Sequence, residues 1–125
     1  MSLTRRIALG AITFITLTEV GMASSLLLPS PDQLAGDWKL YAQKDVGHVC
    51  TLRLHAPQTL LSGELDCAEK LLGVRVSAWL VTPDTLALVG GDGVALRHFN
   101  RVQPGLYEWD VEAGKTLRLE RLDPP

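Results

Sequence analysis

The 125-residue sequence predicts an all-β fold: an eight-stranded antiparallel up-and-down β-barrel, carrying an extended N-terminal arm and a short helical turn. Three observations lead there. Eight short strand-like stretches follow one another at spacings of roughly 8–12 residues. The segments between them are turn compositions such as "PD", "GGDG", "QPG" and "EAGK", too short for crossovers, so neighbouring strands run antiparallel. No long amphipathic pattern intervenes to supply a covering helix, so the meander buries its apolar face by closing on itself.

The chain begins with a targeting segment. Arg5 and Arg6 precede the apolar run "IALGAITFITL" (Ile7 to Leu17), and Gly21-Met22-Ala23 sets small residues where a signal peptidase reads them. The apolar run is short for a bilayer span, and no Cys follows it to carry a lipid anchor. Residues 1–23 are therefore expected to be a signal peptide, 24–36 an arm with a helical turn, and 37–125 the barrel domain. A mature chain of roughly 100 residues is one domain with one modest core. The formal charge of −2 gives no electrostatic reason to expect nucleic acid or an anionic membrane as partner.

The elements follow in order. Ser30 suits an N-cap, Pro31 the first helical position, and Gln33 the reciprocal position of a capping box, with Gly36 ending the turn. Pro29 forces Leu28 toward an extended conformation, so Ser24 to Pro29 should project as an arm. "DWKLYA" alternates, with Trp38, Leu40 and Ala42 on one face. "HVCTLRLH" places Cys50, Leu52 and Leu54 inward and Thr51, Arg53 and His55 outward. "TLLSGELDC" is a weaker strand interrupted by Gly63, and "CAEKLLG" a helical turn closed by Gly73. "AWLVT", "TLALVG", "GVALRHFNR", "LYEWDV" and "TLRLERL" complete the set. Eight short strands enclose a space that side chains just fill. The expected fillers are Trp38, Trp79, Trp109, Leu52, Leu86, Leu117 and Leu119.

Two cysteines in a small exported chain read as one disulfide, Cys50 to Cys67. The candidate chemistry is sparse. His48 and His55 fall on opposite faces of one strand and cannot share a metal. His98 is ambiguous: parity with Val94 and Leu96 turns it inward but leaves Phe99 outside. No HExxH, G-x-S-x-G or paired-carboxylate arrangement is present, and "GGDG" precedes no helix that could complete a phosphate site. Nothing here requires a cofactor or a resident metal, and the chain is read as a non-enzyme. Gly36-Asp37-Trp38 resembles the G-x-W of lipocalins, which makes a small lipocalin-like carrier of an apolar ligand the alternative. The plainer reading is that Trp38 closes the barrel floor and Gly36 lets the turn pack against it.

Leu26, Leu27 and Leu28 are the remaining oddity, three leucines near a chain end that is ordinarily polar. "SSLLLPSPDQLAGDWKL" resembles the mature amino terminus of the bacterial serralysin inhibitors, or alkaline metalloproteinase inhibitors. The likeness continues through Cys50 and Cys67, "AWLVTPDTLAL", the "DG" hairpin and Tyr107, over essentially the whole mature chain. It departs at Leu80-Val81, where that family tends to have a basic residue and then Pro. The resemblance implies an eight-stranded barrel with one disulfide, located in the periplasm. It further implies a secreted zinc metalloprotease of the serralysin type as partner, bound one-to-one by a monomer. In that family the trunk docks on the protease while the arm enters the cleft. Carried over, the protease-binding residues are Ser24, Ser25, Leu26, Leu27 and Leu28. The Ser24 amino group would ligate the protease's zinc, the turn from Ser30 to Gly36 and the disulfide would pre-organise the direction of the arm, and Gly36 and Trp38 would be structural.

Overall fold

Strand β1 (Gly36–Ala42) lies inside the sheet, paired with a neighbour on each side. The computed structural model describes residues 29–122; the expected signal peptide and the arm residues Ser24 to Leu28 lie outside the described residues. Ahead of β1 stands α1 (Pro31–Leu34), and after it β2 (Asp45–Leu54), β3 (Leu61–Gly63) and a second helix, α2 (Leu65–Leu72). Five strands follow: β4 (Ala78–Val81), β5 (Thr85–Val89), β6 (Ala95–Gln103), β7 (Leu106–Glu112) and β8 (Lys115–Arg121). The sheet order is β3-β2-β1-β8-β7-β6-β5-β4, every pairing antiparallel. This is the expected meander. Its edges nearly meet: Leu61 donates its N–H to the Ser77 carbonyl at 2.9 Å, and Trp79 donates to Thr59 at 3.0 Å. A nearly closed barrel leaves few unpaired edge groups exposed.

Alternation decides what fills it. Trp38, Leu40, Cys50, Leu52 and Leu54 are buried as the period-2 pattern requires, and Trp79, Leu86, Leu117 and Leu119 join them. Trp109 departs from expectation. It is only partly buried, with the Phe99 ring at 6.0 Å and the Arg97 guanidinium 5.1 Å above its face. Phe99 and Tyr107, absent from the expected fillers, are buried in the interior. The cause on β6 is a bulge, where the register shifts between Leu88 and Val89 so that Leu88 faces Arg97 but Val89 faces Ala95. One extra residue reverses the parity beyond it. Phe99 therefore points in and His98 is exposed.

The second correction lies at α2. The "TLLSGELDC" strand shrinks to Leu61–Gly63, and the helix begins at Leu65 rather than Cys67. Gly63 has φ +103°, and a Cβ there would stand 2.6 Å from the Thr51 carbonyl oxygen, so only glycine permits the strand to end so close to β2. Leu65, Ala68 and Leu72 then recur at helical spacing and turn toward the core. Gly73 closes the helix by donating to the Glu69 carbonyl at 2.8 Å.

Cys50 of β2 and Cys67 of α2 form the expected disulfide, with Cα atoms 5.7 Å apart. It ties the helix to the strand it packs on. Across a separation of 17 residues the chain-entropy model assigns it about 3 kcal/mol. The double variant Cys50→Ala/Cys67→Ala is expected to melt roughly 12–24 °C lower in a calorimetric scan, at about 4–8 °C per kcal/mol for a domain of this size. An unchanged midpoint would show that the crosslink contributes nothing to stability.

Candidate functional site

The base of the predicted arm sits at the barrel end where β1 begins and β8 finishes. Ser30 has extended backbone angles (φ −85°, ψ 155°) and precedes Pro31 at the first helical position. The Ser30 N–H donates to Gln33 Oε1 at 2.9 Å, while the Gln33 N–H donates to the Ser30 carbonyl at 3.1 Å. Ala35 donates to the Pro31 carbonyl at 3.0 Å. The local sequence thus forms one closed turn and no more. Four helical residues cannot satisfy their own terminal carbonyls, so these must find partners elsewhere.

The barrel supplies them. Trp38 Nε1–H donates to the Leu34 carbonyl at 2.8 Å. Arg121 Nη1 donates to the Gln33 carbonyl at 2.7 Å, and Nη2 to the Ala35 carbonyl at 2.8 Å. Three consecutive carbonyls are therefore fixed by two side chains of the barrel, one at the start of β1 and the other at the end of β8. Leu34 itself is buried in the core beneath them.

The two side chains also support each other. The Arg121 guanidinium lies 5.8 Å from the centroid of the fully buried Trp38 ring, whose other contacts include Tyr107 at 6.0 Å. Burial holds the Tyr107 phenol above its ordinary pKa, with the Arg101 charge opposing the shift. The Arg121 N–H is paired with the Gly105 carbonyl at 2.9 Å, and Leu122 donates to the Asp37 carbonyl at 2.9 Å. Gly36 has φ +131°, a region that side chains rarely adopt, which lets the turn pass directly into β1. Arg121 was not expected. It has the inward parity of Leu117 and Leu119, and a charged residue at a core-facing position by a barrel mouth is the signal that could have found it.

The other candidates scatter. His48 is exposed and bonded to Asp45, which raises its pKa; His55 contacts the Ser62 hydroxyl at 2.7 Å; His98 is exposed on β6. Among the described residues no group of three or more His, Cys, Asp or Glu side chains converges as a metal site. The interior that a carried ligand would need is occupied by Trp38, Trp79, Phe99, Tyr107 and the leucines around them. The lipocalin-like alternative draws no support from such a filled core.

The fold is thus a filled antiparallel barrel with one end bonded to the turn ahead of its first strand. The chain belongs to the protease inhibitor Inh family, whose model matches residues 28–121. It is 34% identical over 117 residues to the alkaline proteinase inhibitor of Pseudomonas syringae pv. tomato, covering 94% of this chain and 92% of that one. It is 35% identical to the alkaline proteinase inhibitor of Pseudomonas brassicacearum, covering 82% and 81%. The proteinase inhibitor of Pseudomonas aeruginosa is 33% identical, with 86% of each chain covered. Among solved structures, the crystal structure of a psychrophilic marine protease MP inhibitor matches with a TM-score of 0.68 at 36% identity, covering 74% of this chain and 99% of that one.

Proposed function

We propose that this protein is an exported, periplasmic inhibitor of a secreted serralysin-type zinc metalloprotease, active as a monomer in a one-to-one complex. In this reading signal removal after Ala23 leaves Ser24 as the first residue. The arm Ser24 to Leu28 enters the active-site cleft, and the Ser24 α-amino group ligates the catalytic zinc.

The chemistry suits these residue types. A catalytic zinc keeps one position open, ordinarily filled by water. An α-amino group titrates at about 7.7–8.0, so the metal can displace its proton near neutral pH. Serine is small enough to approach the ion. Residues behind it can pair in extended form with an edge strand of the cleft. Each leucine buried there is worth about 1.5–3 kcal/mol before the cost of ordering the arm. With Ser24 at the metal, no residue lies on its far side, so no peptide bond is positioned for attack. The inhibitor binds like a product and is not consumed.

The observation that carries this reading is the clamped turn. "SSLLL" stands in sequence directly ahead of a segment whose last three carbonyls the barrel holds, in a chain whose relatives are named proteinase inhibitors. Titrating a serralysin-type protease with the chain beginning at Ser24 is expected to abolish peptide hydrolysis at a one-to-one ratio. A chain beginning at Pro29 should inhibit at least about 100-fold more weakly while melting at the same temperature. Equal potency of the two chains would refute insertion of the arm.

A further inference from the structure

We propose that Arg121 is a positioning residue for inhibition: its guanidinium fork sets the direction in which the arm leaves the barrel. This inference rests on the arm-in-cleft reading above and adds to it a residue about ninety positions away in the sequence.

The geometry is specific to a fork. Nη1 and Nη2 of one planar group reach the carbonyls of Gln33 and Ala35, at 2.7 and 2.8 Å. Between them the Leu34 carbonyl is taken by Trp38 Nε1. Fixing successive carbonyl vectors fixes the peptide planes, and with them the backbone torsions of the turn. Arg121 is itself held, by its main-chain bond to Gly105 and by the Trp38 face beneath its guanidinium. The turn has few other anchors. It is a single turn of four residues, and of these only Leu34 is buried.

Leverage makes this matter. An extended segment spans at most about 3.3–3.6 Å per residue, so Ser24 to Pro29 reaches roughly 20 Å. A tilt of about 10° at the base moves the tip by roughly 3.5 Å, more than the whole zinc–nitrogen bond of about 2.0–2.1 Å. Without the fork the arm must search for the cleft each time the trunk docks, and that loss of pre-organisation appears as weaker inhibition. Lysine cannot replace arginine here, since one ammonium on a flexible stem does not impose two fixed directions.

The test uses the chain beginning at Ser24 and a serralysin-type protease, with Arg121→Ala and Arg121→Lys variants. Inhibition constants are measured alongside amide hydrogen exchange of the free proteins. Both variants are expected to inhibit roughly 10- to 100-fold more weakly. Exchange at Gln33 and Ala35 should accelerate, while the amides of β1, β2 and β7 keep their protection. Full potency of either variant overturns the proposal. So does weakened inhibition with unchanged exchange in the turn, because Arg121 would then act by touching the protease. If Arg121→Ala fails to fold, Arg121→Lys alone decides between these outcomes. Failure of the underlying reading looks different: the chain beginning at Pro29 would then inhibit as well as the intact one. If that truncation destroys inhibition while the Arg121 variants retain it, only the role of Arg121 falls.

Discussion

One glycine added ahead of Ser24 is expected to weaken inhibition of a serralysin-type protease by at least about 100-fold while leaving the melting temperature unchanged. The addition converts the Ser24 amine into an amide, whose nitrogen has no lone pair to offer a metal. It also moves the free amine one residue, about 3.3–3.6 Å, along the chain. Either the new terminus reaches the zinc and the leucines shift out of their pockets, or the leucines stay and the amine overshoots. Each tenfold loss corresponds to about 1.4 kcal/mol, so the expected effect is about 3 kcal/mol or more. The barrel should not register the change, since among the described residues its buried core begins at Leu34. Retention of residues 1–23 is expected to act like the added glycine, so that export would generate activity in this account. Unchanged potency of the extended chain would contradict ligation by the amine.

Replacing Trp38 with alanine is expected to cost about 3–5 kcal/mol of stability, the range for truncating a fully buried aromatic residue. Trp38 is wholly inaccessible, packs against Tyr107, lies under the Arg121 guanidinium and donates to the Leu34 carbonyl. Its loss opens a cavity at the barrel end and leaves that carbonyl without its partner. A domain of this size has only about 5–15 kcal/mol in total, so denaturant melts should show a large fall in midpoint. Trp38→Phe separates the two roles. It keeps most of the buried ring and removes the indole N–H, at an expected cost nearer 1 kcal/mol. If the bond to Leu34 helps to aim the arm, inhibition by Trp38→Phe should fall by more than its stability loss accounts for. Equal melting of Trp38→Ala and the parent would show that the residue is not a core element.

The strands were legible wherever a single period ran undisturbed. β1 as far as Leu40 and the second half of β2 alternate cleanly, and Trp38, Leu40, Cys50, Leu52 and Leu54 are buried as expected, whereas Tyr41 is buried beside Leu40 where the register shifts. β6 was not legible, because its parity depends on a bulge opposite Leu88 and Val89 that local sequence does not announce. That one shift moves Phe99 inward and His98 outward. Trp109 shares the inward parity of Tyr107 and packs against the core, but it is only partly buried, with the Arg97 guanidinium over its face. At α2, the strand-like run that ends at Cys67 overlaps the helical spacing of Leu65, Ala68 and Leu72, so the sequence pattern there is ambiguous. The base of the arm was half legible. Ser30, Pro31 and Gln33 announce a capped turn by their own chemistry, and Gly36 and Trp38 announce the start of β1. Arg121 meets the turn across 88 residues, a contact created by barrel closure that no local pattern encodes.

The central claim concerns one nitrogen. A crystal structure of the chain beginning at Ser24 bound to a serralysin-type protease is expected to place the Ser24 amino nitrogen about 2.0–2.1 Å from the catalytic zinc, in the position that water otherwise holds. A complex in which the zinc keeps its water and that nitrogen lies several ångströms away would contradict the account.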